Sequence, residues 1–86
     1  MYNFIRPQTS SVPLTMNVLV FRTDLHSTER IDDIRPLLEN TDGICRWNVD
    51  MHDCDNVLRI EALALSPRTV ETMVQQAGYF CEELPD

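Results

Sequence analysis

Residues 17–22 read NVLVFR, with apolar side chains on both parities: Val18 and Val20 on one, Leu19 and Phe21 on the other. Branched and aromatic residues favour extended backbone, whose side chains alternate between two faces. A strand that is apolar on both faces belongs in the interior of a sheet. The rest of the chain must therefore flank this strand and cover its faces.

The segments that follow supply such elements in a regular order. Ser27 or Thr28 can cap a helix, and Glu29, Asp32 and Asp33 lie where the positive end of a helix favours acids. Ile31, Ile34, Leu37 and Leu38 then recur at helical spacing. Pro36 lacks a backbone donor, which predicts a kink or a helix in two short pieces. Gly43 suits a left-handed turn after the helix. Cys45, Trp47, Val49 and Met51 alternate with Arg46, Asn48 and Asp50, as in a strand with one buried face. Polar residues 52–56 turn the chain into a strand over 57–63, with Leu58, Ile60 and Ala62 inward. Ser66-Pro67 opens a second helix, because serine caps and proline has its φ already set. Val70, Met73, Val74 and Ala77 form its apolar stripe, Gly78 ends it, and residues 79–84 make a short last strand. The order is βαββαβ. It predicts an α+β, ferredoxin-like sandwich, with a four-stranded antiparallel sheet and two helices on one face.

Eighty-six residues suffice for one domain, assigned to residues 16–86, and residues 1–15 read as an N-terminal tail. Tyr2, Phe4 and Ile5 give that tail apolar groups with which to dock on the sheet. The net charge of −7, with seven arginines and no lysine, disfavours nucleic acid and anionic membrane surfaces as partners. No apolar run is long enough to span a bilayer, and residues 1–15 lack the apolar core of a secretory signal. Cys45, Cys54 and Cys81 are odd in number and without a close pair, which fits a reducing cytoplasm.

Several local matches in this order resemble the heavy-metal-associated domain of copper chaperones and metal-transporting ATPases. Asp42-Gly43-Ile44 is similar to the glycine–valine step into that family's second strand, and Trp47-Asn48-Val49-Asp50-Met51 to its alternation. Ser66-Pro67 resembles the start of its second helix, and Gln76-Ala77-Gly78-Tyr79 the end. The likeness runs over residues 17–84. It implies the ferredoxin-like fold and, in the loop after the first strand, a Met-x-Cys-x-x-Cys site for soft Cu(I). Here that loop reads TDLHSTERI. Its cysteine slots fall at Ser27 and Arg30, or at His26 and Glu29 if the loop before Gly43 is one residue longer. Neither placement holds a thiol, so the resemblance implies a degenerate metal site and does not carry copper-chaperone activity with it.

His26, Ser27, Glu29 and Arg30 remain the candidate binding residues of this loop. His26 alone is one imidazole and no metal site. The turn DMHDCDN offers His52, Asp53 and Cys54 as a weaker metal alternative, although consecutive side chains seldom converge on one ion, and Asp55-Asn56 is expected to form the turn itself. Cys45 and Cys81, on strands, read as small hydrophobes. With only Gly43 and Gly78, no glycine-rich phosphate cradle is possible, and no nucleophile–base motif is present.

One apolar pair of the first strand must point away from the helices, joined by Val57, Leu63 and Ile44. Such a face asks for a cover, and an edge strand could instead pair with a second copy. The expectation is a cytoplasmic, non-catalytic binding module that self-associates or meets a protein partner, with no cofactor and no metal ion. The alternatives are a metal binder or sensor using non-standard His, Cys and Asp ligands, and an anion sensor holding its ligand on Ser27 and Arg30.

Overall fold

The structure, a computed structural model, describes residues 16–84. The expected docking of Tyr2, Phe4 and Ile5 lies outside the described residues. The elements run β1 (Asn17–Thr23), α1 (Thr28–Glu39), β2 (Ile44–Asp50), β3 (Val57–Ala62), α2 (Pro67–Gln76) and β4 (Cys81–Glu83). The four strands form one antiparallel sheet in the order β2-β3-β1-β4. β1 is central, as its two apolar faces require.

Leu19 and Phe21 on β1 and Leu58, Ile60 and Ala62 on β3 are buried against Ile31, Ile34 and Leu38 of α1 and Val70 and Val74 of α2. Leu25 and Cys81 complete this core. Ser27 caps α1 by accepting from the Arg30 amide (3.2 Å), and Ser66 caps α2 by accepting from the Thr69 amide (3.2 Å). Gly43 (φ +98°) and Gly78 (φ +99°) take the positive angles that end the two helical arms. At Gly43 the reason is also steric, because a Cβ there would stand 2.7 Å from the Leu63 carbonyl oxygen.

Four expectations are corrected. Of the two alternatives at Pro36, the two-piece helix is overturned: α1 is one continuous helix with Pro36 inside it, on the exposed face and four residues from the C-cap Asn40. Leu37 is exposed, because only Ile31, Ile34 and Leu38 share the inner stripe. The other two corrections have one cause, a β-bulge. Ile44 lies opposite Ala62 and Arg46 opposite Glu61, so Cys45 is an extra residue in β2. The bulge shifts the phase of the strand. Ile44 therefore joins Trp47 and Val49 on the helix side instead of the open face. Cys45, read as a small hydrophobe, is exposed.

The open face carries Val18, Val20 and Val57 among charged neighbours. Arg22 pairs with Glu82, and Arg46 Nε lies 3.8 Å from Glu61 Oε1. Val18 remains 57% exposed, so the apolar pair expected on this face is there, with these ion pairs beside it.

Candidate functional site: the loop between β1 and α1

The loop between β1 and α1 is built by the ends of three elements. Thr23, at the end of β1, is buried and donates its hydroxyl to the Asn56 carbonyl (2.6 Å) while accepting from the Leu25 amide (3.1 Å). Those bonds place Leu25 in the core and turn the chain outward. Asp24 then spans the site. Its Oδ2 lies 3.3 Å from Arg30 Nη1, and its Oδ1 accepts from the Phe80 amide at 2.9 Å. Arg30 Nη1 also donates to the Asp24 carbonyl (3.2 Å). The Arg30 guanidinium stands 5.7 Å from the centre of the Tyr79 ring, close enough for a cation–π contact. The Tyr79 hydroxyl donates to Asp33, and through that bond the phenol holds its proton more tightly than a free one does.

Of the four residues expected here, Ser27 and Arg30 meet within the first turn of α1, Ser27 as N-cap and Arg30 three residues on. His26 and Glu29 are exposed to solvent. Asp24 and Tyr79, which join the Arg30 cluster, are additions. Tyr79 comes from 49 residues along the chain, and only the closed sheet brings it to Arg30.

This donor set does not fit Cu(I). It offers no thiolate, and a guanidinium occupies one of the two candidate slots. Cys81 lies opposite Thr23 in the sheet, near the base of the loop, but burial pushes its thiol up to about 12, so it stays protonated and a poor ligand.

The second candidate cluster sits in the β2–β3 turn. There Asp53, Cys54 and Asp55 bring ligand atoms within 4.8 Å of one another, a convergence that consecutive residues were not expected to reach. His52 is not part of it; its amide donates to Asp50 Oδ1 at 3.0 Å. Asp53 Oδ1 accepts from the Asp55 amide (2.9 Å), and Asn56 takes φ +45°. The Asp50 and Asp53 carboxylates are thus engaged in shaping the turn, as short polar side chains do.

A third feature went unread in the sequence. Between α1 and β2 lies an open groove of about 550 Å³, lined by Ile31, Leu38, Ile44, Trp47 and Val49, with Arg35 at its rim. The Arg35 guanidinium stands 5.2 Å from the Trp47 ring centre.

No sequence-family profile and no curated protein sequence matches the chain. Solved structures do. The copper(I)-loaded first domain of the human copper chaperone for superoxide dismutase superimposes with a TM-score of 0.68 at 17% identity, over 80% of this chain and 93% of that one. The apo heavy-metal-associated domain of a copper chaperone for superoxide dismutase gives 0.70 at 15% identity, over 99% and 84%. The yeast copper transporter domain Ccc2a gives 0.67 at 13% identity, over 80% and 96%. Among the described residues, no helix is long and apolar enough to cross a membrane. The chain has the ferredoxin-like fold of the heavy-metal-associated domains of copper chaperones.

Proposed function

We propose that this chain is a non-catalytic protein-interaction module on the fold of a metal-chaperone domain, acting in the cytoplasm, with its former metal loop closed by the protein's own charges. The supporting observation is the Asp24 carboxylate, which spends one oxygen on Arg30 and the other on the Phe80 amide. A cation–anion pair thus ties the loop to the first turn of α1 and to the approach to β4. An incoming cation would meet Arg30, and an incoming anion would meet Asp24. The exposed edge of β2 and the adjoining groove are left as the surface for a partner.

Native mass spectrometry of the untagged chain, alone and after adding Cu(I) or Zn(II), tests this reading. The expected spectrum shows apo protein in all three cases. A stoichiometric, chelator-sensitive adduct overturns it. The convergence of Asp53, Cys54 and Asp55 favours one particular alternative, a metal binder with non-standard ligands. A Zn(II) adduct that disappears in Cys54→Ser would establish that alternative.

A further inference from the structure

The outer edge of β2 is programmed by the hydrogen bonding of the strands behind it. The Leu84 amide donates to the Val20 carbonyl at 2.8 Å, so Val20 faces β4. Strand alternation then turns Leu19 and Phe21 towards β3, and their partners Ile60 and Leu58 towards β1. Arg59 and Val57 consequently face β2, and their partners Asn48 and Asp50 face β3. The Thr23 amide, which donates to the Asp55 carbonyl at 2.9 Å, confirms the same phase from the other end of β1. Trp47 and Val49 are left with their N–H and C=O groups pointing outwards. Among the described residues, β2 has a strand on one side only.

We propose that this edge pairs with β2 of a second copy, antiparallel about a two-fold axis at Asn48, to make one continuous eight-stranded sheet. The inference rests on the interaction-module reading and names the partner. Matching outward-pointing groups requires a residue to face one of its own parity, so the axis passes through a residue. The bulge at Cys45 confines regular pairing to Arg46–Asp50, which leaves axes at Trp47, Asn48 or Val49. Only the axis at Asn48 sets Arg46 of each copy opposite Asp50 of the other. It also sets Trp47 opposite Val49, and these are the residues with free backbone groups.

Arg46 is available for this, with its side chain 78% exposed. Asp50 accepts from the His52 amide through Oδ1, which leaves Oδ2 for the second copy. On the helix side, the α1–β2 grooves of the two copies meet, and Trp47 and Val49 of each gain a cover. The like net charges of two such acidic chains repel at long range. Salt at about 0.15 M confines that repulsion to about 8 Å, whereas the Arg46–Asp50 contacts act at shorter range.

The test is sedimentation equilibrium of the full chain from micromolar to millimolar concentration at that ionic strength. A monomer–dimer equilibrium is expected. Arg46→Asp and Asp50→Arg should each weaken it roughly tenfold or more, because two attractive contacts become repulsive. An equimolar mixture of the two variants should form a heterodimer at least as tight as the wild-type dimer. In a Cys45→Ser, Cys54→Ser background, Asn48→Cys should cross-link under mild oxidation, since facing residues of a non-hydrogen-bonded pair stand about 4.5 Å apart, within disulfide reach.

A chain that stays monomeric throughout, or a dimer that Arg46→Asp leaves unchanged, overturns the proposal. A monomer without a metal adduct sinks this inference and leaves the interaction reading with a different partner. A stoichiometric adduct sinks the reading itself.

Discussion

Asp24 and Arg30 close the β1–α1 loop on itself, with Asp24 Oδ2 3.3 Å from Arg30 Nη1 and the Asp24 carbonyl accepting from the same nitrogen at 3.2 Å. The two side chains are 42% and 37% exposed, so solvent screens most of their attraction. Their role is geometric. They hold the first turn of α1 against the segment that leads into β4.

Removing Asp24 takes away both the ion pair and the acceptor for the Phe80 amide. Asp24→Ala should therefore cost about 1 kcal/mol, a fall of about 4–8 °C in the melting temperature of a domain this size. Arg30→Ala loses only screened contacts and should cost about 0.5 kcal/mol. Melting curves followed by circular dichroism decide this. Equal losses from the two variants would mean that the bond to Phe80 contributes nothing.

Placing thiols in the β1–α1 loop should give it soft-metal chemistry. Ser27→Cys/Arg30→Cys puts two sulfurs in the first turn of α1 and removes the guanidinium that opposes a cation. It should take up one Cu(I) in competition with a colorimetric chelator. His26→Cys/Glu29→Cys should bind more weakly, because it keeps Arg30 and starts one residue outside the cap. The reverse order of affinity would mean that His26 and Glu29, not Ser27 and Arg30, correspond to the cysteine positions of the copper-chaperone domains.

The two glycines separate strain from collision. Gly78 has φ +99° and no heavy atom within 4 Å of a built Cβ, so Gly78→Ala should cost about 1–2 kcal/mol of backbone strain. Gly43 has nearly the same φ but faces the Leu63 carbonyl at 2.7 Å, so Gly43→Ala should cost about 3 kcal/mol or more. Urea unfolding of both variants measures the difference. Matching values would show that the turn after β3 gives way freely.

Cys81 supplies a pH signature. Burial raises its thiol from about 9 in the unfolded chain to about 12 in the fold, so the native state retains a proton that the unfolded chain releases. Its contribution is intact below about pH 9 and is lost as pH rises towards 12, at up to about 1.4 kcal/mol per unit. Urea midpoints at pH 8 and pH 10 should fall more steeply for the wild type than for Cys81→Ala. In the same conditions near neutrality, thiol reagents should modify the exposed Cys45 and Cys54 and spare Cys81.

Much of this architecture is legible in residue pattern. NVLVFR announced a central strand, Ser66-Pro67 a helix start, Gly43 a left-handed turn and Gly78 a helix end, and all stand in the fold. The bulge was not legible. Cys45 carries no glycine or other marker of an inserted residue, and its place is set only by which β3 partners Ile44 and Arg46 meet. That missed residue misplaced both Ile44 and Cys45. At the loop, Ser27 could be read as a cap because capping is local structure, whereas Arg30 was marked only by the family resemblance. Asp24 could not be singled out, since its Phe80 bond joins residues that only the β1–β4 pairing brings together. Tyr79 was read as part of the last strand, but its hydroxyl reaches Asp33 and the strand begins at Cys81.

Trp47 is the single tryptophan of the chain, half-buried beneath Arg35 at the mouth of the α1–β2 groove. The molecule thus carries its own optical probe at the place where another sheet would dock. Light selective for indole reads that edge alone, while the phenol that senses the β1–α1 turn belongs to Tyr79. Excitation at the red edge of the absorption band therefore reports the open edge of β2 without an external label, whereas any phenol signal is shared by Tyr2 and Tyr79 and overlaps that of the indole.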